Sequence, residues 1–176
     1  MFVGDVHNES NTMAAFSRAL PGLAGKLDVI LLEYYPKDMS PVGKGVDEIE
    51  ADLQSFKKHY RRGVAAQVHQ MSTLAAKNGI DVRGIEVPTP KQYQDKKSFL
   101  DNLRYTKWRT GEEVNRKFLG SVERYAVQSK GGQSVSFGMF VGRSHLGTLK
   151  KLAPDIAAYE PSDDGGLKPY LEKKSA

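Results

Sequence analysis

Four histidines and no cysteine define the chemistry open to this chain of 176 residues. Without a thiol there is no cysteine nucleophile, disulfide, iron–sulfur cluster or zinc site built on sulfur. Any nucleophile, base or metal ligand must be imidazole, carboxylate, hydroxyl or amine. Two histidines share one context. Gly4-Asp5-Val6-His7 and Gly142-Arg143-Ser144-His145 each place a histidine three residues after a glycine, at the end of an apolar run. Between them, Leu32-Glu33-Tyr34-Tyr35 and Ile85-Glu86-Val87 each bring one carboxylate to the end of a similar run. Neutral imidazoles with one or two carboxylates can hold a divalent metal that acidifies water. Without a metal, a histidine oriented by a carboxylate is a general base for water. Glycine ahead of each histidine allows close backbone approach and frees N–H groups for an anion. Arg104, Arg109 or Arg143 could direct positive charge at an oxyanion or phosphate.

The other two histidines have plainer settings. His59 lies in the basic stretch Phe56 to Arg62 and is expected on the surface; His69, inside a helical pattern, is expected to be structural or exposed. Ser144 adjoins His145, but neighbours on one loop point apart, so a hydrolase dyad is not expected. Tyr34 and Tyr35 suit the edge of a core better than a substrate cleft. P-loop, dinucleotide-binding, nucleophile-elbow and His-Glu-x-x-His patterns are all missing from the sequence.

These residues need elements to hold them. Runs rich in β-branched residues at 2–3, 29–32, 80–87, 135–141 and 156–159 are bounded by Gly, Pro or Asp and do not alternate strictly, as in strands buried on both faces of a parallel sheet. Helical periodicity occurs over 11–20, 47–60, 64–77, 98–129 (broken near Thr110-Gly111) and 144–152. Alternating strands and helices predict one α/β domain over 1–176, with a mostly parallel sheet of four to five strands and helices on both faces. In such sheets ligands bind outside the carboxyl ends of the strands, which is where Asp5, His7, Glu33, Glu86 and His145 fall. A mobile loop is expected over 37–44, and weak order from about residue 162.

A net charge of +5 spread in short clusters suits a solvated surface, not the basic stripe with interleaved aromatics of a nucleic-acid binder. With a mean hydropathy of −0.50 and no long apolar run, neither a membrane span nor a signal peptide is expected. A first strand beginning at Phe2 is expected of a domain cut from a longer protein, and other domains of that protein would be its partners.

Gly4-Asp5-Val6-His7-Asn8-Glu9, Leu32-Glu33-Tyr34-Tyr35, Gly84-Ile85-Glu86 and Gly142-Arg143-Ser144-His145-Leu146, in that order, resemble the erythromycin esterase-like and ChaN-like superfamily. That group includes the TraB/TIKI proteins and domains of large bacterial toxins. The stretch with Arg109 and Asn115 resembles the Arg…Asn helix of the toxin-borne members. The resemblance covers about residues 2–160 and implies a hydrolase-like domain of a toxin or effector, secreted or delivered to a host cell. It implies His7 as base or ligand, Glu33 and Glu86 as carboxylate partners, His145 as second base or ligand, and Arg109 as anion stabiliser. The metal set would be His7, Glu33, Glu86 and His145. Haem or iron is the alternative cofactor implied by the ChaN-like members, and a catalytically silent interaction domain is a further alternative. The substrate, small molecule or peptide, is not specified. Asp5 stands where the family has glutamate, one methylene shorter, which alters reach to a substrate or metal.

Overall fold

A computed structural model describes residues 1–5, 11–55, 63–94, 98–162 and 166–171. The strands are β1 (Phe2–Asp5), β2 (Val29–Lys37), β3 (Asp81–Gly84), β4 (Phe137–Gly142), β5 (Ala158–Pro161) and β6 (Leu167–Pro169). The helices are α1 (Asn11–Leu23), α2 (Val46–Ser55), α3 (Val64–Lys77), α4 (Phe99–Arg109), α5 (Glu112–Lys130) and α6 (Leu146–Leu152). One sheet runs in the order β3-β2-β4-β1-β5-β6, parallel throughout except for β6.

Helices cover both faces, as the alternating pattern predicts. On one side Ile30 and Leu32 of β2 and Phe140 of β4 pack with Phe16 and Leu20 of α1 and Val68 and Met71 of α3. Phe16 meets Phe140 edge-on, centroids 4.5 Å apart, a favourable arrangement for ring quadrupoles. On the other side Val29 and Leu31 of β2 and Met139 and Val141 of β4 pack against Val114 and Phe118 of α5 and Leu146 of α6. Side chains alternate along a strand, so Glu33 follows Val29 and Leu31 onto the α5 face. That parity carries a charge into the second core.

Several elements differ from the expected ones. The sheet has six strands, one more than the four to five expected. The extra strand, β6, comes from the tail read as weakly ordered, and pairs antiparallel with β5 through Tyr159–Pro169 and Pro161–Leu167. The segment 37–44 is not a free loop. Ser40 Oγ donates to the Val82 carbonyl, Asp38 N–H to the Gly84 carbonyl, and Lys44 Nζ to Asp52 at 2.7 Å. Helix α1 passes through Pro21 to Leu23. Tyr34 and Tyr35 are buried in the core, with the Tyr35 hydroxyl donating to Asp52; burial, then this carboxylate, push the Tyr35 pKa up.

β2 is irregular between Leu32 and Lys37, both of which register with Gly84 of β3. The irregularity brings the Pro36 carbonyl so close that a Cβ at Gly84 would lie 1.8 Å from its oxygen. Only glycine fits there without moving β2, and β2 carries Glu33. Gly84→Ala is expected to destabilise the fold by about 3 kcal/mol, the upper end for overpacking. Urea unfolding measures it, and an alanine variant as stable as the wild type would contradict this packing.

Candidate functional site

The strand order makes neighbours of the four strand ends that carry polar residues, from β3 through β2 and β4 to β1. Glu86 follows β3 by two residues, Glu33 lies in β2, Gly142 ends β4 and His145 closes the 3-10 turn after it. Arg109, the last residue of α4, completes the group from above the sheet. Glu33, Glu86, Arg109 and His145 are all buried, as expected of residues that meet one another rather than water.

Glu33 is the hub. Its Oε1 accepts from Arg109 Nη2 at 2.6 Å and lies 3.4 Å from His145 Nε2; its Oε2 accepts from the Gly142 backbone N–H at 2.6 Å. Arg109 also donates from Nη1 to the Val87 carbonyl at 3.0 Å, and its Nη2 lies 3.2 Å from Glu86 Oε1. Burial by itself pushes the Glu33 carboxyl up. The His145 hydrogen bond and charge, the Arg109 charge and the Gly142 N–H outweigh burial and hold it well below the usual carboxylate range. Burial likewise opposes the Arg109 charge, which the two glutamates more than restore.

His145 is held from its other end. Its Nδ1 lies 3.1 Å from Asn115 Oδ1, while Asn115 Nδ2 donates to the carbonyls of Thr110 and Gly111 at 3.0 and 2.8 Å. With Nδ2 spent on carbonyls, Oδ1 is the acceptor and the hydrogen resides on Nδ1. Nε2 faces Glu33 Oε1. Phe118, one turn beyond Asn115, packs on the ring at 5.3 Å, and the Arg109 guanidinium lies 5.7 Å from the same phenyl. Asn115 thus ties the break between α4 and α5 to the turn after β4.

Of the residues expected at the site, Glu33, Glu86, Arg109 and His145 come together. His7 lies outside the described residues, as does His59. Asp5 ends β1 in register with Gly142, beside the site. Arg104 is exposed on α4, and Arg143 pairs with Glu160 at 2.8 Å instead of joining the group. Ser144 is exposed while His145 is buried, so they do point apart, and His69 sits half-buried on α3. Gly4 serves packing: a Cβ there would lie 2.6 Å from Leu146 Cδ1. Among the described residues no group of three or more imidazole or carboxylate side chains is arranged to hold a metal. Phe118 was not read from the sequence as part of the site, and the anion that the Gly142 N–H meets is the Glu33 carboxylate. A buried asparagine and a phenylalanine three residues apart look like any helix stripe until the partners are known.

The low carboxyl pKa of Glu33 makes a pH-dependent prediction. A group whose pKa is depressed on folding contributes stability above its unfolded value, about 4.3, and loses it as pH falls through the folded value. Glu33→Gln is expected to cost about 3 kcal/mol at pH 7, the order found for breaking a buried ion pair. The gap between variant and wild type should narrow as pH falls below about 4. Denaturant unfolding at several pH values measures it, and a gap that is constant or widens in acid would contradict the assignment.

No protein-family model matches the chain, and no curated protein matches it. Solved structures do. It is similar to the type III effector HopBA1, with a TM-score of 0.57 and 16% identity over 82% of this chain and 66% of the effector. It is similar also to a structure described as bacterial protein toxins, with a TM-score of 0.55 and 15% identity over 97% of this chain. A further bacterial toxin structure matches with a TM-score of 0.50 and 16% identity over 98% of this chain. The chain spans just under two thirds of the effector and about a third of the toxin chains, 66% and 35%. At these identities the likeness is one of fold: the chain shares the architecture of bacterial effector and toxin structures.

Proposed function

We propose that this chain is a hydrolase-like domain of a bacterial toxin or effector that activates water at the carboxyl edge of its sheet. The observation that carries this reading is the convergence of Glu33, Glu86, Arg109 and His145 into one buried network from four separate segments. Four ionisable groups placed under the edge where α/β folds bind ligands are expensive to bury. Perturbed groups such as Glu33 and Arg109 cluster at functional sites.

In this reading Glu33, Arg109 and Asn115 are positioning residues. The Nη1 and Nη2 donors of Arg109 face Val87, Glu33 and Glu86, so its charge holds the glutamates in place. The group assigned to meet the substrate is His7, on the segment that leaves β1 beside Gly142. Its imidazole takes a proton from water as the water oxygen bonds to the substrate carbonyl carbon. The imidazolium then returns that proton to the alcohol or amine leaving group as the tetrahedral adduct collapses. Asp5, the last residue of β1, precedes His7 by two residues. The erythromycin esterase-like motifs and the toxin-like fold support this assignment together. A divalent metal held by His7 with Glu33, Glu86 or His145 is the other way to supply activated water.

The test is turnover of a panel of activated esters and peptide amides. His7→Ala is expected to lose at least about 100-fold, the usual contribution of a general base, with an unchanged melting temperature. Full activity in that variant ends this reading. Chelation distinguishes the two routes: a rate unaffected by EDTA favours the imidazole alone, and a rate lost to EDTA and restored by zinc favours the metal.

A further inference from the structure

A second feature lies on the same face of the sheet, farther along α5. Between β3 and the second half of that helix is a cavity of about 230 Å³. Arg124 lies nine residues beyond Asn115, about 14 Å along the helix axis, and none of Glu33, Glu86, Arg109, Asn115 or His145 lines this cavity. Buried Leu31 and Ile85 give it an apolar floor, while Arg83, Arg124, Gln128 and Ser129 line it with donors.

Its two guanidiniums are only partly used. Arg124 Nη2 donates to Ser121 Oγ at 2.7 Å, but its Nε is buried with no hydrogen-bond partner. Among the described residues no carboxylate pairs with Arg124. Arg83 spends Nε on Asp81 at 2.8 Å, which leaves its two terminal nitrogens for another acceptor. The one carboxylate lining the cavity is Asp38, which lies 3.6 Å from Lys37 Nζ. A buried N–H of a charged group without an acceptor is costly, and two forked cations around a small concavity match the oxygens of a tetrahedral anion. The volume is below the range of about 300–1,000 Å³ usual for drug-sized ligands. It holds a phosphate and a small attached group.

We propose that this cavity binds a phosphate group, with Arg124 and Arg83 as its ligands. The phosphate can arrive as the free ion or as a small phosphomonoester. Both are measured by calorimetry on the full chain at constant ionic strength, using inorganic phosphate and glycerol 3-phosphate. Binding of at least one probe is expected, with Kd at least ten-fold weaker in Arg124→Gln and in Arg83→Gln. Tighter binding of glycerol 3-phosphate assigns the site to an ester, and tighter binding of inorganic phosphate to the free ion. The same probes should raise the melting temperature of the wild type by roughly 5–10 °C at a hundred-fold excess over Kd. If Arg124→Gln fails to fold, Arg83→Gln decides. No binding of either probe, or a Kd in a folded variant less than ten-fold weaker than in the wild type, overturns the proposal.

Discussion

A carboxylate removed from water must be supplied with donors, or it takes up a proton instead. Glu33 is supplied from three directions: by Arg109 at the end of α4, by the Gly142 N–H at the end of β4, and by the His145 ring after it. None of these donors is near it in sequence, so the charge can be buried only when α4, β2 and β4 are all in place. One guanidinium lies against two carboxylates, and the Gly142 N–H and the His145 ring complete the contacts of Glu33. The fold is in this sense conditional on an electrostatic fit that a purely apolar α/β core would not need.

Such an arrangement contributes less to stability than its short distances suggest. Desolvation consumes most of the Coulombic gain of a buried pair, and apolar residues of the same shape often do as well or better. Its value lies in geometry. Asn115 orients His145 from α5 and closes the α4–α5 break, and Thr148 of α6 donates to the same Thr110 carbonyl that Asn115 uses. The carboxyl edge is thus braced next to Asp5, the last residue of β1. Rigid support of this kind is what a site needs if reacting groups are to stay aligned. The inner face of α5 continues past this support to the cavity at Arg124, so one helix serves two polar features of different chemistry.

Much of this is legible in the sequence. The unbroken apolar runs implied a parallel sheet, and the rule that ligands lie beyond the carboxyl ends of strands picked out Glu33, Glu86 and His145 directly. The break at Thr110-Gly111 and helix α3 over Val64–Lys77 fell where the periodicity placed them. What could not be read was pairing order. Convergence required β1 to β4 to be neighbours, and β4, distant in sequence, lies between β2 and β1. β6 escaped notice because three residues, Leu167–Pro169, carry no period and gain their pairing only from β5. The 37–44 segment has the composition of a free loop, yet Gly84 and Val82 hold it through backbone contacts that no composition reveals. Asn115 was visible as part of an Arg…Asn pattern, but its task of holding His145 depends on a side chain 30 residues away.

The central claim is that Glu33 and Arg109 act on each other across the α4–β2 contact. The direct measurement is a double-mutant cycle at pH 7, comparing Glu33→Gln, Arg109→Gln and the double variant by denaturant unfolding. A coupling of about 1.5–3 kcal/mol is predicted, within the range for residues sharing one ion-pair network. Additive effects, with a coupling near zero, would mean that the two side chains do not hold one another and that the network is not the constraint on which the site depends.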